Sequence, residues 1–473
     1  MITFGIVVAY LLGTYLLGYV LKRRAGAKDT TAHKFFVADR DLPLFTVSAL
    51  LFGDMIGASS ETGTAGTGYS MGLAGGWAVW GNSFGCILFS LCFSGFFFRL
   101  RKTGVTTGPE AYGLRFDGRI RYLVLVFTFI PLFIIFSAQI TAAVLYLSSM
   151  IEIDDTVATV IVFGLFLAMG MLGITGVAQM NKVHSFVIIF GLAFAAIACL
   201  CSVGGPKTLV TQLPASYFNP FAPGALTVTA QFLGSALGFS VSVTSISIAY
   251  CAKSIRVAKQ CHWIVAVVSS IFALFPLVIG LCGAVTLDGI RQDSVLFLMT
   301  NSISPVLSGV ALMAVFAAIF STAPWFLLAM TNLIVKDMYI PYAQARKRTV
   351  SAKKELVIAR TVMVVTLAGA VLISGQNTSL LDTLMGASQI KAISALLLMV
   401  GIYWKRLTNT AGFLGLLAGG AFSTVWYFLG YPFDIQPLWP GLVTSVAIFV
   451  VGSFITSKGK VSKDYEQYEA RLE

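Results

Sequence analysis

The sequence contains thirteen apolar stretches that are long enough to cross a lipid bilayer and nearly free of charged residues. A helix that spans the hydrocarbon core needs about 20 such residues. The connections between the stretches are too short for a separate soluble domain. We therefore predict an all-α, multi-pass membrane protein with about thirteen transmembrane helices. The stretches are 3–21, 42–70, 75–98, 122–149, 156–177, 183–203, 227–250, 263–286, 305–335, 357–374, 379–403, 410–429 and 437–456.

The composition agrees with this class, because 57% of the 473 residues are hydrophobic and only 11% are charged. Soluble domains carry about 25% charged residues, so we expect membrane lipids to cover most of the surface. The 32 Lys and Arg residues against 20 Asp and Glu residues give a net charge of +12. In a soluble protein this excess would indicate nucleic acid. Here the positions of the charges indicate a different cause.

The basic residues cluster on alternate connections. No basic residue precedes the first apolar stretch, and Lys22, Arg23 and Arg24 follow it at once, which predicts a retained helix with its N-terminus outside. Alternating sides from there places 29 of the 32 basic residues on cytoplasmic connections. We therefore expect a protein of the plasma (cytoplasmic) membrane with a cytoplasmic C-terminus and no nucleic-acid partner.

Motifs for enzyme chemistry are absent from the sequence. The seven cysteines have no metal-binding spacing, and the three histidines are scattered. A glycine-rich phosphate loop and a nucleophile elbow are also missing. We predict that the protein is not an enzyme and has no catalytic residues.

Two apolar stretches contain sequences that favour an interrupted helix. Residues 53–70 read GDMIGASSETGTAGTGYS, and residues 234–249 read GSALGFSVSVTSISIA. Glycine weakens a helix by about 1 kcal/mol per residue, and a broken helix in a membrane must line a polar cavity. Paired interruptions indicate a transporter built from inverted repeats. The alternative is that the small residues only allow close helix packing.

These interruptions suggest a division of the chain into five parts. Two five-helix repeats would cover 42–203 and 227–403. The other parts would be an extra N-terminal helix with a cytoplasmic loop (1–41), an outer loop (204–226), and two C-terminal helices with a cytoplasmic tail (404–473).

The ninth stretch and the first helix break together supply groups that could bind a small cation. Carbonyl oxygens freed at a helix break are hard ligands, and Ser321 and Thr322 add hydroxyl groups. Pro324 has no N–H group to donate to the carbonyl of Phe320. The alternative is that both hydroxyls bond back to their own helix.

Four stretches carry a resemblance to the sodium/solute symporter family, whose members transport proline, sugars, pantothenate, sialic acid and other small solutes with sodium. A fifth stretch, Ala252-Lys253-Ser254, resembles the family less closely. The four are residues 53–69, Gly108-Pro109-Glu110 to Arg115-Phe116, Ala317 to Thr322 leading to Lys336-Asp337-Met338-Tyr339, and 403–408 (YWKRLT) running into Ala411-Gly412. They occur in the family's order.

The resemblance implies a LeuT-like core of two inverted five-helix repeats, with sodium as the coupling ion. It also implies that sodium binds the backbone carbonyls of Gly53, Ile56 and Ala318 and the hydroxyls of Ser321 and Thr322. Many members carry an aspartate on the inner sodium route, where our alignment places His184. A histidine there makes a second sodium site doubtful and opens a proton-coupled alternative.

Ionisable residues within a membrane span indicate function by default. We predict that the substrate site includes Asp54, Glu61 and Lys391. Lys391 would hold a substrate carboxylate, while Asp54 or Glu61 would hold an amino group or tune the ion site. The alternative for Lys391 is a structural ion pair with Asp382, Asp54 or Glu61. Weaker candidates for the same cavity are Asn82, Gln139, Phe239 and Ser242.

The function that we predict is sodium-coupled symport of a small polar organic solute by alternating access, with a carboxylate or an amino acid as the favoured class. One alternative is a proton-coupled transporter on the same fold, with His184 or Asp54 titrating. Another is a transporter-like membrane sensor that binds a ligand without moving it.

Overall fold

The structure is a computed structural model that describes residues 2–24, 41–151, 153–374, 380–457 and 461–472. These residues are organised almost entirely as helices, as the apolar stretches predict. The side chains of Lys22, Arg23, Arg24 and Asp382, and the loop 25–40, lie outside the described part.

Twenty-two α-helices follow one another in the described residues. The first eleven are α1 (Ile2–Arg24), α2 (Leu44–Met55), α3 (Ala58–Met71), α4 (Trp77–Leu88), α5 (Ser94–Leu100), α6 (Gly108–Arg115), α7 (Gly118–Ile151), α8 (Asp155–Gly170), α9 (Gly173–Ser202), α10 (Pro206–Gln212) and α11 (Ala225–Ser240). The others are α12 (Val243–Cys251), α13 (Ile255–Phe272), α14 (Leu274–Thr286), α15 (Val295–Ile303), α16 (Pro305–Leu333), α17 (Ile340–Ala345), α18 (Ala352–Ile373), α19 (Leu380–Tyr403), α20 (Asn409–Phe428), α21 (Leu438–Ser457) and α22 (Lys463–Leu472).

Each of the thirteen predicted stretches coincides with one of these helices or with two consecutive ones. Within the described residues, ten helical segments are long and apolar enough to cross a membrane. Shorter apolar helices include α2 and α8. The multi-pass helical class is confirmed, and the exact number of thirteen spans stays a prediction.

Both predicted helix breaks are present. Between α2 and α3, Ile56 and Gly57 have extended backbone, with φ/ψ of −106°/91° and −112°/−177°. Between α11 and α12, Ser242 is extended with φ/ψ of −61°/148°. Its hydroxyl accepts a hydrogen bond from the backbone N–H of Ser245 at 3.0 Å, so Ser242 caps the second half of its broken helix.

The two broken helices are joined at one end by a short parallel bridge between Leu42 and Ala252. The N–H of Leu42 donates to the carbonyl of Cys251 at 3.0 Å, and the N–H of Lys253 donates to the carbonyl of Leu42 at 3.1 Å. Helix α16 lies beside both, and from Ala314 to Thr331 its side chains are buried. The polar breaks therefore face the centre of the helix bundle.

Basic connections gather at the end of the bundle that carries this bridge, which we call the basic end. Arg121 at the start of α7 forms a 2.9 Å ion pair with Asp337, which follows α16. Arg101 donates from Nη1 to the carbonyl of Ala252 at 2.6 Å. The basic connections around Arg101, Lys253 and Lys336 thus lie together at this end of the bundle.

Candidate functional site

Five oxygen atoms meet where the end of α2 packs against the middle of α16. They belong to the five residues that the family resemblance assigns to sodium. The Thr322 hydroxyl donates to the carbonyl of Gly53 at 2.6 Å and also lies 3.4 Å from the carbonyl of Ile56. The Ser321 hydroxyl lies 3.0 Å from the carbonyl of Gly53 and 3.4 Å from the Thr322 hydroxyl.

The fifth oxygen is the carbonyl of Ala318, which lies 2.8 Å from the Ser321 hydroxyl and 2.9 Å from the Thr322 hydroxyl. Both hydroxyls therefore bond to their own helix as well as across to α2, so the two alternatives from the sequence coexist. Ile56, Ala318, Ser321 and Thr322 are almost fully buried. Five neutral oxygens in one buried cluster are suited to a monovalent cation that must bind and also leave.

The break between α2 and α3 is held by side chains that satisfy its freed backbone groups. The Gln139 Oε1 atom accepts a hydrogen bond from the N–H of Ala58 at 3.1 Å, and the Ser60 hydroxyl donates to the carbonyl of Met55 at 2.9 Å. Position 57 favours glycine, because a Cβ atom there would lie 2.6 Å from Gln139 Nε2. Helix α7 therefore stabilises the break through Gln139.

Asn181 lies beside the oxygen cluster, although the sequence analysis did not select it. Its Nδ2 atom donates to the carbonyl of Ser321 at 3.1 Å, and a Cβ atom on Gly53 would approach it to 2.7 Å. Its Oδ1 atom is buried and has no hydrogen-bond partner among the described residues. The visible signal was an amide in an apolar helix, one turn before His184.

His184 occupies a different environment. It is fully buried on α9, and its Nδ1 atom shares a hydrogen bond with the hydroxyl of Tyr10 on α1. Asn181, one helical turn earlier on α9, contacts the segment that carries the oxygen cluster, whereas His184 contacts α1. A role for His184 on the ion route or in proton coupling stays a prediction.

A cavity adjoins the oxygen cluster and opens between the two helix breaks. It brings together six of the seven side chains predicted for the substrate. The six are Asp54, Asn82, Gln139, Phe239, Ser242 and Lys391. Thr322 of the oxygen cluster also borders this cavity, so the candidate ion and substrate sites share a wall. Further lining residues that the sequence analysis did not select are Gly57, Ser60, Pro131, Phe326 and Ser388.

Asp54 and Lys391 provide opposite charges to the cavity. Asp54 lies close enough to Lys391 and to Thr244 for both residues to affect its carboxyl group electrostatically. The Thr244 hydroxyl in turn accepts a hydrogen bond from the indole N–H of Trp325. Among the described residues, no ion pair within 4.0 Å joins Asp54 to Lys391. The two charged groups are therefore arranged around a space instead of neutralising each other directly.

Glu61 is the predicted substrate residue that does not line the cavity. It lies on α3 beyond the break and is fully buried. Neither of its carboxyl oxygens has a hydrogen-bond partner among the described residues. Glu61 thus occupies an enclosed position within the bundle, and its contact with a solute stays a prediction.

Known transporters resemble this chain over most of its length. The model of the sodium:solute symporter family matches residues 35–419. The chain is 23% identical to the sodium/pantothenate symporter of Haemophilus influenzae, covering 95% of this chain and 94% of that protein. It is also 23% identical to the sodium/glucose cotransporter of Vibrio parahaemolyticus, covering 94% and 88%.

Solved structures show the same fold. A sodium-coupled sialic acid symporter in a substrate-bound outward-open state superposes with a TM-score of 0.80 at 19% identity, covering 97% of both chains. A nucleobase–cation symporter in a closed conformation has a TM-score of 0.61 at 14% identity, covering 92% of this chain and 97% of the other. Together with the family match, these likenesses confirm the LeuT-like fold class.

The family match covers most of the chain, including both helix breaks and the segment from Ala317 to Thr322. It confirms that transport, and not enzyme catalysis, is the activity, and that sodium is the coupling ion. The chain belongs to the sodium:solute symporter family.

Proposed function

We propose that this symporter carries a small zwitterionic solute of the amino-acid type. The observation that supports this class is the placement of Asp54 and Lys391 in one cavity without a direct ion pair. The Lys391 ammonium group would bind the solute's carboxylate, and the Asp54 carboxylate would bind its ammonium group. A charged group buried without a partner is costly, so a solute carrying both charges fits this cavity better than a neutral sugar.

The remaining polar residues would orient the solute between these two charges. Asn82 supplies an amide to the cavity, Ser242 supplies a hydroxyl that also bonds to Ser245, and Phe239 supplies an apolar face. The Gln139 Oε1 atom is already engaged by the N–H of Ala58, which leaves its Nε2 group for the solute. We leave Glu61 out of this set because of its enclosed position.

The sodium ion would bind the five oxygens of Gly53, Ile56, Ala318, Ser321 and Thr322. On binding, each hydroxyl would turn a lone pair toward the ion instead of donating its proton to a carbonyl. The ion would then fix the end of α2 against α16. Because Asp54 directly follows Gly53, this fixation also sets the position of a solute-binding carboxylate. Sodium and solute would thereby strengthen each other's binding, typically by 1–3 kcal/mol.

The transport cycle would be alternating access between two repeats, covering 42–203 and 227–403. We place the N-terminus outside and the C-terminus in the cytoplasm, so that the basic end of the bundle faces the cytoplasm of a cell whose plasma membrane holds the protein. The positive-inside rule supports this orientation. An inward sodium gradient would then drive uptake of the solute.

The decisive experiment is uptake of radiolabelled amino acids into proteoliposomes, with competition by unlabelled compounds. The competitors should be zwitterionic amino acids, the matching carboxylic acids without an amino group, the matching amines and neutral sugars. We expect competition by zwitterions only, and loss of uptake when potassium replaces sodium at constant pH. Competition by sugars but not by zwitterions would contradict the proposed solute class while leaving sodium coupling intact.

A further inference from the structure

A second, smaller cavity continues from the solute cavity toward the basic end. The two cavities share Val243, which follows the second helix break. The smaller cavity is also lined by Ile246 of α12 and Ser394 of α19. It therefore lies on a path from the solute cavity to the side where the basic connections gather.

Helix α6 forms the far wall of this smaller cavity, through Gly108, Pro109 and Tyr112. The Tyr112 hydroxyl donates to the carbonyl of Ser394 at 2.7 Å, which closes α6 against α19. A Cβ atom on Gly108 would lie 3.0 Å from Ile246, so α6 also packs closely on α12. The eight-residue helix thus blocks the path between the cavity and the basic end.

The other end of α6 carries Arg115, a fully buried arginine. Its Nε atom donates to the carbonyl of Gly401 at 2.7 Å, but its Nη1 and Nη2 atoms have no hydrogen-bond partner among the described residues. Burial lowers the pKa of Arg115 to about 10, so the guanidinium group stays charged at neutral pH. An enclosed cation of this kind needs another source of stabilisation.

That stabilisation comes from the nearby carboxylates of Asp464 and Glu469 and from aromatic rings, two of which belong to α22. The Arg115 guanidinium carbon lies 4.6 Å from the ring centre of Phe116, 5.0 Å from that of Tyr465 and 5.2 Å from that of Tyr468. These are cation–π distances, and such contacts are strongest where water is excluded. Both tyrosine side chains are themselves buried.

Three further contacts fix α22 to the neighbouring connection between α19 and α20. The N–H of Ser462 donates to the carbonyl of Lys405 at 3.0 Å. The Asp464 carboxylate accepts a hydrogen bond from the N–H of Asn409 at 2.8 Å, where it caps the start of α20. Lys405 lies 4.0 Å from the carboxylate of Glu469 in an exposed pair. Helix α22 therefore bridges α6 and the end of the α19 segment.

We propose that the C-terminal helix α22 is a latch that holds α6 closed across the path from the solute cavity. The rings of Tyr465 and Tyr468 pack against the guanidinium group of Arg115. The contacts at Lys405 and Asn409 hold α22 against the ends of α19 and α20. Opening the path toward the basic end requires α6 to leave α19, so it also requires Arg115 to leave the rings. Variation in the tail would thereby set how readily the transporter opens on this side.

The inference rests on the proposed solute cavity, and its test measures access to the path without any solute. Ser394→Cys places a thiol on the smaller cavity with little change in size. The background should carry Cys92→Ser and Cys201→Ser, since these two are the least buried cysteines of the described residues. The rate of alkylation by N-ethylmaleimide in proteoliposomes then reports how often α6 opens.

We expect the double variant Tyr465→Ala and Tyr468→Ala to accelerate alkylation about tenfold, which corresponds to about 1.4 kcal/mol. The matched control is Tyr465→Phe with Tyr468→Phe, which keeps both rings and should leave the rate unchanged. A chain that ends at residue 460 should reproduce the double alanine variant. Sodium-dependent melting temperatures report whether each variant is folded.

An unchanged alkylation rate in the shortened chain would overturn the proposal, because α22 would then be only a structural cap. Equal acceleration in the alanine and phenylalanine variants would also contradict the proposal, since the aromatic rings would then not be what holds Arg115 in place. If the alanine pair fails to fold, the single variant Tyr468→Ala provides the same comparison with Tyr468→Phe. A solute class other than zwitterions would not affect any of these results.

Discussion

The Thr322 hydroxyl lies 2.6 Å from the carbonyl oxygen of Gly53, although 269 residues separate the two in the chain. This contact joins the end of the first half of a broken helix to the centre of the buried helix α16. An ion that binds here contacts both elements at once. Ion binding and the position of the break are therefore expected to change together, which gives a physical basis for coupling.

Removing the hydroxyl from this contact should weaken sodium binding. We expect Thr322→Ala to raise the sodium concentration for half-maximal uptake by about tenfold, because one of five oxygens is lost and a buried polar contact is worth about 1–3 kcal/mol. Thr322→Ser keeps the oxygen and is the control. If the alanine and serine variants share the sodium requirement of the parent protein, the cluster is not the sodium site.

Asn181 allows the opposite test. Its Oδ1 atom is buried beside the oxygen cluster without a partner among the described residues, so Asn181→Asp would place a negative charge near the ion. We expect a several-fold lower sodium requirement, because an opposite charge within about 6 Å stabilises a cation. Asn181→Leu should have the reverse effect. The measurement is sodium-dependent thermal stabilisation, and no change in either variant would exclude Asn181 from the ion environment.

Gln139 should support transport mainly by holding the helix break. Gln139→Met has a similar length but cannot accept the hydrogen bond from the N–H of Ala58. An unsatisfied buried N–H group costs about 1–3 kcal/mol, so we expect a lower melting temperature and weaker sodium binding. Equal melting temperatures for the methionine variant and the parent would argue against this role.

The two charges of the cavity should select opposite ends of the solute. We expect Lys391→Met to lower affinity for a zwitterion at least tenfold, since a charged hydrogen bond is worth about 1.5–3 kcal/mol. Affinity for the amine that lacks the carboxylate should rise relative to the zwitterion. Asp54→Asn should shift preference toward the carboxylic acid without an amino group. Competition assays on the two variants provide the check, and the same preference order in both would contradict the assignment.

Close backbone packing at the cavity predicts a stability effect. A Cβ atom on Gly238 of α11 would lie 2.4 Å from the carbonyl oxygen of Ser388 on α19. We expect Gly238→Ala to destabilise the protein by about 1–3 kcal/mol, the usual cost of overpacking. Gly164→Ala is the control, because that position lies in a helix with no atom within 4 Å of the added carbon. Melting temperatures in detergent compare the two, and equal values would refute the packing argument.

Several parts of the site could be predicted from residue types alone. The glycine and hydroxyl pattern of residues 53–70 predicted a break, and the structure places it at Ile56 and Gly57. The choice between Asn181 and His184 could not be made in this way. Both are polar residues in one apolar helix, three positions apart, so they lie on the same face. Only the neighbouring helices distinguish them: α16 meets Asn181, and α1 meets His184.

The sequence by itself determined that lipid surrounds the protein, that its fold is helical and that two helices are broken. The reason is that lipid cannot satisfy exposed backbone groups or charges. It also brought Asp54 and Glu61 forward as ionisable residues in the same broken stretch. The tertiary structure decided that Asp54 faces the cavity and that Glu61 is enclosed. The physical reason is that helical periodicity does not continue across a break, so the direction of the second half depends on what it packs against.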